Sequence, residues 1–198
     1  ADAAQASTTG FCLFSGAGPT LILPPFPIVE MLVSRGYLTA PLVTMLKAER
    51  RIAVVLVRLG AYGVGVCEGE RLITHKVGTG LVHARHRQGG SSAQRFRRHR
   101  EKQIERFLIR VCDEIKRHVT VHEGSLDYIA YGGARTTVEM LKKRCPALLR
   151  LAVQELPPLF DIADPRQAVL EAAARRVWAS RVLDWRQDPL AATELTGK

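Results

Sequence analysis

The sequence lacks an apolar run long enough to cross a membrane. Its longest apolar runs, such as residues 52–57, fall far below the roughly 20 residues that a spanning helix needs. Residues 1–9 also place no basic stretch ahead of an apolar one, as a secretion signal would. We therefore expect a soluble, cytoplasmic protein with no membrane partner.

Closely spaced cysteines are missing as well. The four cysteines, Cys12, Cys67, Cys112 and Cys145, stand far apart and form no C-x-x-C pair. This spacing argues against a zinc knuckle and against a thioredoxin-type redox motif. We expect reduced, mostly buried thiols and no metal site.

The usual catalytic and nucleotide-binding motifs are absent too. The chain has no G-x-S-x-G elbow of a serine hydrolase, and no G-x-G-x-x-G or G-K-S/T loop for a nucleotide. Its acidic residues are scattered, so a two-metal nuclease would require folding to bring several of them together. We expect no cofactor and no free nucleotide.

What the sequence does contain is enough apolar material for one substantial core. Of its 198 residues 46% are hydrophobic, which argues against wholesale disorder. Periodicity predicts strands at 11–14, 21–23, 51–58, 61–67, 72–77, 79–86, 126–131 and 148–153. It also predicts one or two helices over 27–36 and 41–50, helices at 136–143 and 165–178, and a long helix after residue 92. The interleaving predicts an α/β fold with a mixed β-sheet flanked by helices. We expect residues 1–50 to pack on a domain at 51–180, followed by a tail at 181–198.

Positive charge is concentrated in one part of the chain. The formal net charge is +10, and residues 85–106 hold eight Arg or Lys against two Glu, an excess of six. Arg98, Lys102, Arg106 and Arg110 recur every fourth residue, so on a helix they form one stripe opposite the apolar face. Like charges at this spacing cost roughly 0.2 to 0.5 kcal/mol per pair. The stripe favours an anionic partner, with a solvated basic face as the alternative.

A glycine-rich loop precedes this helix. Gly89 and Gly90 allow the backbone positive φ angles and close approach to a ligand. His83, His86 and His99 lie nearby, but their spacing is not that of a zinc motif, and basic neighbours disfavour a cation. Hydrogen bonding to phosphate or RNA suits these histidines better than metal binding.

The loop and helix resemble a known family. The stretch GGSSAQRFRRHR at residues 89–100 is similar to the loop and helix of the middle domain of eukaryotic and archaeal class 1 release factors. There Gly-Gly-Gln is followed by Ser-Ala, an Arg-Phe pair and further arginines. His75-Lys76 upstream and the YIAYGGA stretch at 128–134 downstream also look like parts of that domain. The resemblance covers residues 51 to 180.

One departure directs the resemblance to a particular branch. Ser91 stands where the release factors have the glutamine, and glutamines stand instead at Gln88 and Gln94. A glutamine displaced from the glycines, as G-x-x-Q, resembles the Vms-like release factors, the branch that acts as a peptidyl-tRNA hydrolase on stalled ribosomal complexes. Gln94 follows Gly90 by four positions rather than three.

The resemblance implies a function and a set of site residues. It implies hydrolysis of peptidyl-tRNA on the large ribosomal subunit, with a loop glutamine placing the attacking water and with no cofactor. Gln94, Gly89 and Gly90 are the catalytic candidates, and Gln88 is the second candidate for the glutamine. The expected RNA-binding residues are Arg85, Arg87, Arg95, Arg97, Arg98 and Lys102. The alternative is a non-catalytic tRNA- or ribosome-binding factor with a degenerate loop.

Overall fold

The computed structural model describes residues 2–16, 18–83 and 93–184. In chain order the elements are α1 (Asp2–Gln5), β1 (Cys12–Phe14), β2 (Thr20–Leu23), α2 (Ala40–Lys47), β3 (Arg51–Arg58), β4 (Ala61–Glu68), β5 (Arg71–Thr79), α3 (Ala93–His118), a 3₁₀ helix (Thr120–Ser125), β6 (Tyr128–Gly133), α4 (Arg135–Arg144), α5 (Pro146–Arg150), β7 (Gln154–Glu155), α6 (Gln167–Arg176) and β8 (Arg181–Asp184). Contacts divide the chain into two units, residues 49–177 and residues 1–48 with the segment from Trp178 onward. Within the described ranges no helix combines the length and apolar character needed to cross a bilayer.

The larger unit is built on a five-stranded mixed sheet in the order β5-β4-β3-β6-β7. Strands β3, β4 and β5 form an antiparallel meander, whereas β6 pairs parallel with both β3 and β7. Strand β3 lies in the centre because its apolar run is buried on both faces of the sheet. The mixed sheet and its flanking helices confirm the predicted fold class.

Helices cover both faces of this sheet. On one face α3 and α4 pack over alternate residues of β3 and β4, among them Val55, Val57 and Val64. Helix α6 contacts β3, β4 and β5 from the other side, where Leu170 lies against Gly63. The sheet therefore has a layer of helix on each face. The start of α3 extends beyond this core, since the buried side chains of the helix begin at Ile104.

The smaller unit contains a second sheet of three antiparallel strands in the order β1-β2-β8. Phe26 is fully buried and makes an edge-to-face contact with Trp178, with ring centroids 4.9 Å apart. Buried Thr9 donates a hydrogen bond to the Pro24 carbonyl at 2.7 Å. The strands predicted at 11–14 and 21–23 are confirmed as β1 and β2, which pair antiparallel.

Of the two ranges in which one or two helices were expected, only one holds a helix. Helix α2 occupies most of 41–50, and residues 27–36 form no helix. The apolar side chains that follow Ile28 stay in solvent, with Val29, Met31 and Val33 98%, 89% and 91% exposed. Helices in proteins are stabilised mainly by packing an apolar face, and this segment packs none.

Two predicted strands are also wrong. Strand β5 ends at Thr79, and residues 80–83, the rest of the described part of 79–86, form no strand. The range 148–153 is occupied by the end of α5, which begins at Pro146, and by irregular chain before β7. A short apolar run cannot be told from a short helix by periodicity alone, and a proline in the first turn favours the helix.

The expectation of four reduced thiols is wrong for two cysteines. Cys112 of α3 and Cys145, between α4 and α5, form a disulfide with Cα atoms 5.4 Å apart. They are 33 residues apart in the chain, and only the packing of α3 against α4 and α5 brings them together. Cys67, a free and buried thiol, agrees with the expectation, and Cys12 is free and partly buried.

Candidate functional site

The first three turns of α3 form an exposed helix end. The buried side chains of α3 begin at Ile104, and every side chain from Gln94 to Gln103 is exposed or partly exposed. Even the apolar side chain of Phe96, near the start of the helix, is 53% exposed. At 1.5 Å per residue, these ten residues present about 15 Å of helix to solvent.

Basic side chains dominate this helix end. Arg95, Arg97, Arg98 and Lys102 are all exposed. Arg97 pairs with Glu101 at 3.9 Å, a long contact between side chains that are 71% and 65% exposed. Such a pair contributes little to stability, so the positive charge remains accessible to a partner.

The predicted stripe has a free part and an anchored part. Within the described part of the chain, Arg98, Lys102 and Arg106 form no hydrogen bond or ion pair, whereas Arg110 donates to the Thr79 carbonyl at 3.0 Å. The stripe therefore combines three exposed cations with one that is anchored to the end of β5.

A groove lies beside Arg98 and Lys102, the first two residues of this stripe. It has a volume of about 700 Å³ and lies between α3 and the end of α4. Arg98, Lys102 and Arg144 line it, and Leu108 and Ile109 form its apolar part. Sequence reasoning missed Arg144, since nothing in the sequence links this last residue of α4 to the start of α3. Glu101 and Glu105 also line the groove, so its charge is mixed.

The catalytic candidates are only partly covered by the described residues. Gln94 lies in the first turn of α3 with an exposed side chain. Gly89, Gly90, Gln88, Arg85 and Arg87 lie outside the described residues. The helix that follows the glycines thus places Gln94 at its start, one turn before Arg98.

The chain before the loop lies along α3. The His83 amide donates to Gln103 Oε1 at 3.1 Å, and Arg100 Nε donates to the His83 carbonyl at 2.9 Å. The rings of His83 and His99 are stacked with centroids 6.4 Å apart. Sequence reasoning missed Gln103, because a single glutamine between Lys102 and Ile104 carries no pattern of its own.

Other candidates for catalytic chemistry are weak. Among the described residues no three His, Cys, Asp or Glu side chains lie close enough together to hold a metal ion. Burial raises the pKa of the Cys67 thiol to about 11, so this thiol is not a nucleophile at neutral pH. What the described part of α3 offers is a neutral amide beside cationic side chains.

Comparison with known proteins identifies the domain. The family model described as "Actinobacteria/chloroflexi VLRF1 release factor" matches residues 50–183. The chain belongs to this family. The match covers every element from β3 to α6, so the VLRF1 domain includes the sheet, the basic helix end and the groove.

Curated relatives of this VLRF1 domain are archaeal release factors. The chain is 24% identical over 157 residues to "Peptide chain release factor subunit 1" of Archaeoglobus fulgidus, which covers 74% of the chain and 39% of the relative. It is 29% identical over 122 residues to the protein of the same name from Pyrococcus abyssi, covering 60% of the chain and 30% of the relative. The chain thus spans well under half the length of these relatives.

A solved structure supports the same fold. The crystal structure of the archaeal translation termination factor aRF1 matches with a TM-score of 0.50 and 19% identity, covering 80% of this chain and 50% of the other. At this identity the likeness concerns the fold alone. It shows that the archaeal factor contains the fold seen in this chain.

Proposed function

We propose that this VLRF1 family member hydrolyses the ester bond of peptidyl-tRNA on stalled ribosomal complexes in the cytoplasm. The observation that carries the proposal is the exposed start of α3, where Gln94 follows the Gly89-Gly90 pair in sequence and precedes the exposed arginines Arg95, Arg97 and Arg98. The name of its archaeal relatives, peptide chain release factor, adds support. The proposed partners are the large ribosomal subunit and peptidyl-tRNA.

Gln94 is the proposed catalytic residue. Ester hydrolysis requires a water held for attack on the carbonyl carbon and donors for the oxyanion that develops. A neutral amide supplies both a donor and an acceptor, and it keeps them at any pH where the ribosome works. Backbone N–H groups at Gly89 and Gly90 are proposed to approach the ester closely, because glycine has no Cβ to prevent it.

The basic side chains are proposed to hold RNA. Arg95, Arg97, Arg98 and Lys102 are exposed on the described helix end, and Arg85 and Arg87 are assigned the same role from the sequence. Contacts of Arg and Lys with phosphates release counterions, so the affinity should fall with salt. Such contacts position a domain on RNA without reading its sequence.

A non-catalytic role is the second candidate, and one observation favours it. Ser91 follows Gly90 directly, where the release factors that the chain resembles have their glutamine. A domain with a degenerate loop would bind tRNA or the ribosome through the same basic helix end without cleaving the ester. The two proposals share the RNA-binding surface. They differ only in whether the Gly-Gly loop and Gln94 hydrolyse the ester.

One experiment separates the two candidates. Ribosomal large-subunit particles carrying labelled peptidyl-tRNA are mixed with the protein, and both the released peptide and the co-sedimenting protein are measured. Binding with release supports the hydrolase, whereas binding without release supports the non-catalytic factor. Absence of both results would contradict the ribosomal role itself.

A further inference from the structure

The chain that leads into the Gly-Gly loop leaves the sheet after Gly80, and from there its contacts are with α3. Strand β5 pairs with β4 up to Thr79, and Gly80 N–H still donates to the Gly60 carbonyl. Beyond Gly80 the sheet offers His83 no partner among the described residues, and the contacts come from α3. We refer to residues 79–83 as the lead-in segment.

Four side chains of α3 hold the lead-in segment along one line. Arg110 donates to the Thr79 carbonyl, and a Cβ on Gly80 would meet Phe107 Cδ2 at 2.6 Å, so Gly80 lies directly against that ring. Gln103 and Arg100 then bond to His83. Positions 100, 103, 107 and 110 fall on one face of a helix, and the lead-in segment runs along that face towards the start of α3.

His83 is held at both of its backbone polar groups. Its N–H donates to Gln103 Oε1 at 3.1 Å, and its carbonyl accepts from Arg100 Nε at 2.9 Å. Two hydrogen bonds from side chains one turn apart fix the position of the His83 backbone along the helix. A single bond would leave this residue free to pivot. The two bonds together are called the His83 clamp.

The clamp sets the distance along α3 between His83, the last described residue before the loop, and Ala93, the first described residue after it. Residue 93 starts α3, and Arg100 and Gln103 stand seven and ten residues later. The loop therefore begins about 10 to 15 Å along the helix axis from the point at which it joins α3. His83 thus gives residues 84–92 a fixed starting point, and catalytic groups lose rate when they are displaced by as little as 1 Å.

We propose that Arg100 and Gln103 are positioning residues, which clamp His83 to α3 and thereby place the Gly-Gly loop for ester hydrolysis. This inference rests on the proposed hydrolase function. Both hydrogen bonds are solvent-exposed, so the fold gains little from them. Their effect is expected in the release rate and in the mobility of His83 rather than in stability.

Gln103 gives the sharper test, because Gln103→Leu removes its amide and leaves the charge of the basic helix end unchanged. Gln103→Leu keeps the size of the side chain and removes the acceptor for the His83 amide, whereas Gln103→Glu keeps an acceptor. Single-turnover peptide release is measured against protein concentration. We expect Gln103→Leu to lower the saturating rate roughly 3- to 10-fold with little change in the half-saturating concentration, and Gln103→Glu to recover most of that rate.

Arg100 is tested against a matched loss of charge. Arg100→Leu and Arg106→Leu each remove one cation from the exposed part of α3, but only Arg100 contacts His83. Both variants should raise the half-saturating concentration, and only Arg100→Leu should lower the saturating rate. Equal saturating rates for the two variants would overturn the positioning role of Arg100.

Amide hydrogen exchange at His83 tests the clamp in the free protein. Exchange of this amide should be several-fold faster in Gln103→Leu than in the wild type, and Gln103→Glu should restore the slow exchange. Unchanged exchange in Gln103→Leu, or a saturating release rate equal to that of the wild type, overturns the inference. A wild-type protein that releases no peptide overturns the proposed function instead, and the exchange data then still decide whether the clamp forms.

Discussion

At the scale of single residues, the account depends most on Gln94. Its side chain is exposed at the start of α3, so its replacement should not disturb the fold. If its amide holds the attacking water, Gln94→Ala should lower the rate of peptide release by on the order of 100-fold, the typical effect of removing one preorganised donor. Co-sedimentation with ribosomal particles and the melting temperature should stay as in the wild type.

Two further substitutions, in the Gly-Gly loop, serve as controls for Gln94. Gln88→Ala tests the other glutamine, and a loss of release there alone would transfer the catalytic role to Gln88. Gly90→Ala should also slow release, because a Cβ restricts the backbone conformations of the loop. Release that survives replacement of both glutamines would exclude the glutamine mechanism.

Gly133 should be essential for stability rather than for chemistry. It ends β6 with a φ of 103°, and a Cβ there would lie 2.2 Å from the Val57 carbonyl oxygen. Gly133→Ala should therefore destabilise the protein by ~2 kcal/mol or more in urea unfolding. Gly124→Ala is the matched control, since a Cβ at Gly124 meets nothing within 4 Å. Equal effects of the two substitutions would contradict this explanation.

At the scale of elements, we propose that the basic stripe of α3 is the main determinant of binding to ribosomal particles. Arg98→Glu with Lys102→Glu should weaken binding to ribosomal particles more than tenfold and flatten its dependence on salt between about 50 and 200 mM. Arg150→Glu with Arg175→Glu changes the net charge equally, at exposed positions on α5 and α6. Equal weakening by both pairs would mean that total charge, rather than the stripe, determines binding.

The disulfide between α3 and the junction of α4 and α5 should stabilise the larger unit. Cross-linking residues 33 apart removes conformations of the unfolded chain, and this is expected to contribute roughly 3 to 4 kcal/mol. Urea unfolding with and without a thiol reductant measures the difference. Four reactive thiols in the denatured, unreduced protein would show that the disulfide does not form.

Elements with a strong period were predictable from the sequence, whereas contacts between distant segments were not. The 26 residues of α3 and the meander of β3 to β5 carry their own apolar patterns. No helix forms at 27–36. The apolar spacing there looks helical, but the side chains of Val29, Met31 and Val33 remain exposed. The His83 clamp, Arg144 in the groove and the Cys112–Cys145 pair depend on how α3 packs, and no local pattern records that packing.

At the scale of the whole molecule, the charge is divided unequally. Six of the ten net positive charges fall within residues 85–106, which end in the exposed part of α3. In the smaller unit, residues 27–46 hold one acidic and one basic residue, Glu30 and Arg35. The proposed RNA contacts therefore concentrate at the start of α3, beyond the buried part of that helix.

The central claim is that this surface delivers a glutamine to the peptidyl-tRNA ester, with the ribosome completing the active site. The most direct test compares the same labelled peptidyl-tRNA bound to large-subunit particles and free in solution, with analysis of both the peptide and the tRNA. The account predicts fast release on the particles and slow release in solution, with tRNA left intact to its 3′ end. A shortened tRNA, or particles that bind the protein and keep their peptide, would contradict it.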